Sequence, residues 1–308
     1  MKNTRISFEG IFYMDLFVGG NSTTLQGRPV TLSGKRCSSA YYSPFRDAMQ
    51  NLDPSCLELL LDSGAFQNVK EGTRLTFEQA LERQLNYERR LQKFSQDWNQ
   101  WSVSCVASYD LLIDEKWING KKVKQRWSES EAWKAVEETV NAAAYLAKQR
   151  KQLSEKTLIL GCQGVSANQY ELCVDEVLKV MSKGDWLGLG GWCILGKQQF
   201  WFPTYAETLT RIIPKIANSI VNHVHIFGVL WLPATGMLQA ICDKYNLTCS
   251  TDSQKPLSSC RWGTSEQRKR AGARCDDWES NVQWWKTTLA NLHKTEYYRL
   301  PTYQTSLF

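Results

Sequence analysis

From about residue 57 onward, short apolar runs alternate with longer amphipathic segments, and this alternation restricts the chain to repeated β-α units around a parallel sheet. The runs LELLLD (57–62), SVSCVAS (102–108), TLILGCQ (157–163), WLGLGG (186–191), HVHIFGV (223–229) and LTCST (247–251) read as strands. Apolar residues at three- and four-residue spacing predict helices over 76–97, 129–151, 168–182, 203–218, 235–245 and 265–292. Ahead of residue 57, FEGIFYMDLFVGG supplies a first strand, and Gly19, Gly20, Asn21 and Ser22 a loop after it. No repeat, low-complexity tract or proline-rich linker interrupts the 308 residues. One α/β domain spanning 1–308 is expected, with 299–308 as an irregular tail.

Several strands finish on polar residues or glycine: Asp62 after LELLL, Asp110 just after SVSCVAS, Gln163 after TLILGC, Gly190 and Gly191 after WLGL, and Asp252 after LTCST. In a (β/α)8 TIM barrel the carboxyl ends of the strands form the rim of the active site, so three aspartates and a glutamine would share one pocket. Each aspartate alone reads equally as a helix N-cap or an Asx-turn residue. Together they repel one another, which points to at least one tuned for proton transfer or nucleophilic attack.

The charge balance adds a partner. A net charge of +6 is concentrated in Lys121, Lys122, Lys124 and Arg126, in Lys148, Arg150 and Lys151, and in Arg268, Lys269, Arg270 and Arg274. One such run is an ordinary solvated face; three favour a polyanion. Of the thirteen tryptophans, Trp98, Trp101, Trp117, Trp127, Trp133, Trp278, Trp284 and Trp285 lie in polar surroundings, where they would stack on unpaired bases or pack helices. The ten scattered cysteines fit reduced thiols in a cytoplasm, the N-terminus lacks the features of a signal peptide, and no apolar stretch is long enough for a membrane span. A soluble, cytoplasmic protein is expected.

The hexapeptide Asp62, Ser63, Gly64, Ala65, Phe66, Gln67 resembles the DSGGFQ or DSGGYQ signature of the tRNA-guanine transglycosylase superfamily. Collinear with that family follow Tyr109-Asp110, Gln163-Gly164, the loop Gly188-Leu189-Gly190-Gly191, Phe227-Gly228-Val229 and Asp252, so the resemblance covers roughly residues 57–263. It implies a pentosyltransferase on a (β/α)8 barrel that exchanges guanine in nucleic acid for a 7-deazaguanine. In that scheme Asp252 is the nucleophile on C1′ and Asp62 the general acid/base. Asp110, Gln163, Gly190, Gly191 and Ser63 bind the base, Phe66 and Phe227 sandwich it, and Lys121, Lys122, Lys124, Arg126, Arg268, Lys269 and Arg270 meet the nucleic acid. The chemistry agrees with these residue types: one carboxylate traps the cationic sugar, a second manages the proton, and a third accepts the guanine N–H groups. The target base must be flipped out or single-stranded.

Departures from the family pattern narrow the reading. The C-x-C-x-x-C cluster and histidine that hold a structural zinc in the tRNA enzymes have no matching spacing among Cys249, Cys260, Cys275 and His293, and the exchange itself requires no metal or redox cofactor. The loop GLGGWCILGK carries Trp192 and Cys193, and Trp192 either narrows the pocket around the 7-substituent or packs. These features resemble the DpdA branch, which inserts derivatives such as 7-cyano-7-deazaguanine into DNA. The same exchange on tRNA, a non-catalytic partner subunit that binds nucleic acid, and an unrelated barrel hydrolase are the alternatives. Helper proteins that open DNA, or a homodimer, would be further partners. His223 and His225 alternate in HVHIFGV, so at most one is expected to face the barrel interior, each as a hydrogen-bonded structural residue.

Overall fold

A computed structural model describes residues 13–19, 24–26, 28–29, 35–42, 58–94, 103–111, 116–118, 121–123, 128–153, 156–192, 198–261 and 263–301. Eight parallel strands close into a barrel: β1 (Asp15–Gly19), β2 (Lys35–Ser39), β3 (Glu58–Asp62), β4 (Cys105–Ala107), β5 (Thr157–Cys162), β6 (Trp186–Leu189), β7 (His223–Ile226) and β8 (Thr248–Ser253). Each pairs with its neighbours in chain order, and β8 returns to β1 with Phe17 opposite Asp252. This is the (β/α)8 barrel.

Helices cover the outside: α1 (Ala65–Lys70) and α2 (Phe77–Phe94) after β3, α3 (Glu129–Lys148) after β4, α4 (Ala167–Leu178) after β5, α5 (Gln198–Ala217) after β6 and α6 (Leu232–Lys244) after β7. After β8 come α7 (Lys255–Ser258), α8 (Ser265–Arg270) and α9 (Trp278–Ala290). Ser128 caps α3 reciprocally with Glu131, which explains its sharp start.

The strands read as apolar runs because both faces are buried. Leu59, Leu61, Leu158, Leu160, Leu187 and Leu189 join the layer packed with the helices, whereas Phe17, Leu60, Cys105, Ala107 and Ile159 form a separate cluster with Cys37, Trp186 and Phe227. Gly188 makes room in that cluster: a Cβ there would stand 2.6 Å from the Phe227 ring and 2.9 Å from Ile159.

Three features depart from expectation. The strand KRCSS has one apolar residue and was not anticipated; Lys35 holds it in the ring by reaching Asp15 of β1 at 2.7 Å and Glu58 of β3 at 3.1 Å. The helix expected over 265–292 is two helices, because Gly272 has φ 96° and Asp277 starts α9 by accepting from Ser280 N–H. His223 and His225 both point into the barrel, since residues two apart on a strand share a face.

Among the described residues no helix is long and apolar enough to cross a membrane. Of the predicted tail, only 299–301 are described, and they belong to no element.

Candidate active site

At the carboxyl ends of the strands lies a cleft of about 520 Å³ whose wall includes Asp62, Asp110 and Asp252. Parallel strands bring them together, each following one apolar run. Phe66 and Phe227 border the same space, as do Gly190 and Gly191. Of the nine expected catalytic and base-binding residues, seven line the cleft, and Gln163 and Ser63 do not.

Gln163 is fully buried. Its amide nitrogen donates to the Leu111 carbonyl and to Thr139 Oγ1 at 2.8 Å, so the group expected to meet the base is committed to the segment after β4 and to α3. Its Oε1 has no hydrogen-bond partner among the described residues. Ser63 is also fully buried and outside the cleft wall, its hydroxyl accepting from Ala65 N–H at 3.4 Å.

The carboxyl groups have distinct surroundings. Asp62 accepts from Gly64 N–H at 3.3 Å, and Gly64 has φ 81°. Burial, then the charge of Asp252, raises the Asp62 carboxyl to about 6, against the pull of the Gly64 and Ser63 N–H groups. Burial, then the charge of Asp62, raises Asp110 to about 7. Asp62 therefore stands electrostatically between the other two. Asp252 Oδ1 accepts from Gly228 N–H at 2.9 Å and meets His225 Nε2 at 3.2 Å.

The glycine loop borders Asp110. A Cβ on Gly190 would sit 3.4 Å from Asp110 Oδ2. Gly190 N–H is engaged by the Cys162 carbonyl at 2.9 Å and its own carbonyl by Tyr170 Oη at 2.6 Å, while Gly191 turns with φ 94° at the cleft edge. Trp192 packs instead of lining the cleft: it is buried, stacked on Tyr170 at 4.6 Å, with Tyr205 edge-on at 5.1 Å.

Two neighbours of the carboxylates were not singled out in the sequence for this site. Cys37 lines the cleft, its thiol held protonated by burial and by the charges of Asp252 and Asp62. His225 touches Asp252 from below. The signal for His225 was present in HVH, but its partner is set by the β7–β8 register, which pairs His225 with Ser250.

Comparison with models of known families and with curated proteins gives no match.

Two carboxyl groups raised to about 6 and about 7 and a third that accepts from Gly228 N–H beside the His225 ring suit proton transfer coupled to nucleophilic attack. Phe66 and Phe227 add apolar aromatic surface to the cleft wall. Among the described residues there is no group of three or more His, Cys, Asp or Glu arranged to hold a metal ion. Cys249 and Cys260 are separately buried, and Cys275 is half-buried.

The basic runs fare unevenly. Lys121 and Lys122 fall in a hairpin, Lys116–Ile118 with Lys121–Val123, whereas Lys124 and Arg126 lie outside the described residues. Arg150 is held by Asp185 through bonds of 2.6 and 2.7 Å. Arg268, Lys269 and Arg270 form the last turn of α8, with Arg270 paired to Glu266 at 2.5 Å. Two residues beyond this helix, Gly272 approaches Lys255 of the cleft wall, whose Cε would lie 2.6 Å from a Cβ there. Trp278 and Trp285 are buried core residues, and Trp133 and Trp284 pack against that core. Trp98, Trp101 and Trp127 lie outside the described residues.

Proposed function

We infer that the chain is a nucleic-acid guanine transglycosylase that exchanges guanine in DNA for a 7-deazaguanine such as 7-cyano-7-deazaguanine. The observation that carries this reading is the convergence of Asp62, Asp110 and Asp252 on one cleft that Phe66 and Phe227 also line, with Asp62 opening the DSGAFQ motif.

In this mechanism a carboxylate oxygen of Asp252 attacks C1′ of the target nucleotide. The C1′–O bond forms as the C1′–N9 bond breaks, and the departing guanine keeps the electron pair and takes a proton from the acid form of Asp62. The incoming 7-deazaguanine returns a proton from its ring N–H to Asp62. That nitrogen then attacks C1′ and releases the Asp252 carboxylate. A value of about 6 suits Asp62 to both directions.

Asp110 as a carboxylate accepts the two N–H donors of the guanine edge, which adenine does not present in that geometry. Phe66 and Phe227 of the cleft wall stack on the base, and the basic last turn of α8 meets phosphates.

The test is incorporation of labelled guanine and of a labelled 7-deazaguanine into matched duplex DNA and tRNA, by wild type and Asp252→Ala. Label is expected in DNA with wild type alone. Entry into tRNA moves the activity to RNA, and label in neither acceptor sinks the enzymatic reading in favour of a nucleic-acid-binding subunit.

A further inference from the structure

Below the cleft, inside the barrel, the polar side chains of β7 and β8 interlock. Thr248 Oγ1 lies 2.7 Å from His223 Nδ1, His223 Nε2 lies 2.7 Å from Ser250 Oγ, Ser250 Oγ lies 2.8 Å from His225 Nδ1, and His225 Nε2 lies 3.2 Å from Asp252 Oδ1. These are consecutive inward positions on paired strands, so the chain of contacts follows from register. His225 and Ser250 have no exposed surface. Aromatic rings surround the imidazoles: Trp186 stacks on His223 at 3.9 Å, and Phe17 and Phe227 meet His225 edge-on at 5.9 and 4.7 Å.

We propose that His223, Ser250 and His225 form a one-way hydrogen-bond chain that orients Asp252, with His225 as the positioning residue that holds Oδ1 and leaves Oδ2 as the attacking oxygen. The proposal rests on the assignment of Asp252 as nucleophile. Its direction follows from counting donors. A carboxylate only accepts, so His225 must carry its proton on Nε2, and its Nδ1 must then accept from the Ser250 hydroxyl. Having donated, that hydroxyl accepts from His223 Nε2–H, which leaves His223 Nδ1 as an acceptor facing Thr248 Oγ1, whose single proton also has the Asn222 carbonyl as a partner at 3.0 Å. From His223 to Asp252 each donor points toward the cleft.

Burial, with His225 and Lys35 nearby, lowers His223 to about 3, which keeps it neutral as the chain requires. Gly228 N–H adds the second donor to Oδ1. Two donors on the non-attacking oxygen moderate the nucleophile and also stabilise Asp252 as a leaving carboxylate, which suits an exchange that must form and break the same ester bond.

The chain contains three histidines, so long-range nitrogen–proton NMR of the substrate-free protein resolves their tautomers. The expected result is Nε2–H at His223 and His225, with the His225 resonance moved in Asp252→Ala and its tautomer no longer fixed in Ser250→Ala. Nδ1–H at His225 in the wild type overturns the proposal. In base exchange, His225→Leu is expected to lose kcat on the order of 10²-fold with KM little changed, and His225→Gln, which retains a donor near Nε2, to recover much of it. Equal loss in both variants, with folding intact by circular dichroism, also overturns it. A wild type that exchanges no base defeats the nucleophile assignment, whereas the tautomers are read without any reaction, so the two failures are distinguishable.

Discussion

Asp110 shows how a single residue can favour the site at the expense of the fold. Its carboxyl rises from an ordinary 3.8 to about 7, so between those values the folded chain binds more protons there than the unfolded chain does. Stability contributed by this group therefore falls as pH rises through that window. Asp110→Asn is expected to stabilise the protein by about 1–2 kcal/mol at pH 8 and by almost nothing near pH 4, as read by thermal denaturation across pH. His223 works with the opposite sign: lowered from 6.5 to about 3, it binds protons preferentially when unfolded, so its contribution is lost as pH falls below 6.5. The aspartates were legible in the sequence because each closes an apolar run. The engagement of Gln163 by Thr139, and of His225 by Asp252, was not, because each depends on the alignment of distant segments.

At the level of elements, strand composition reported most of the barrel. Six strands and their helices could be read from alternating apolar runs, and β1 from FEGIFYMDLFVGG, because burial on both faces leaves a compositional trace. The second strand leaves none: it replaces apolar character with ion pairs from Lys35 to its two neighbours. The break between α8 and α9 was hidden for a related reason, since helical spacing continues across Gly272 while its positive φ ends the helix. Interior glycines matter as much as the strands that carry them. Gly188→Ala places a methyl group 2.6 Å from Phe227, a ring shared by the barrel interior and the cleft wall. A loss of about 1–3 kcal/mol is expected in chemical denaturation, together with weaker base binding if Phe227 stacks on the substrate.

For the whole molecule, the modest positive charge gains meaning from its placement. The turn Arg268–Arg270 ends two residues before Gly272, which packs against Lys255 of the cleft wall, and on the proposed function a single-stranded or flipped segment would follow it. Replacing Lys269 and Arg270 by glutamine is expected to weaken nucleic-acid binding across sequences and to reduce the slope of log affinity against log salt by about two. An unchanged slope in a salt titration would place the phosphate contacts elsewhere.

The strand that carries Asp252 is also the one that closes the ring against β1, with Asp252 directly opposite Phe17. During synthesis, a chain that has emerged only as far as β7 has neither a sealed barrel nor its third carboxylate. The cleft can thus be completed only by the same pairing that completes the fold, and a growing chain passes through no stage at which a finished site sits on an unfinished protein.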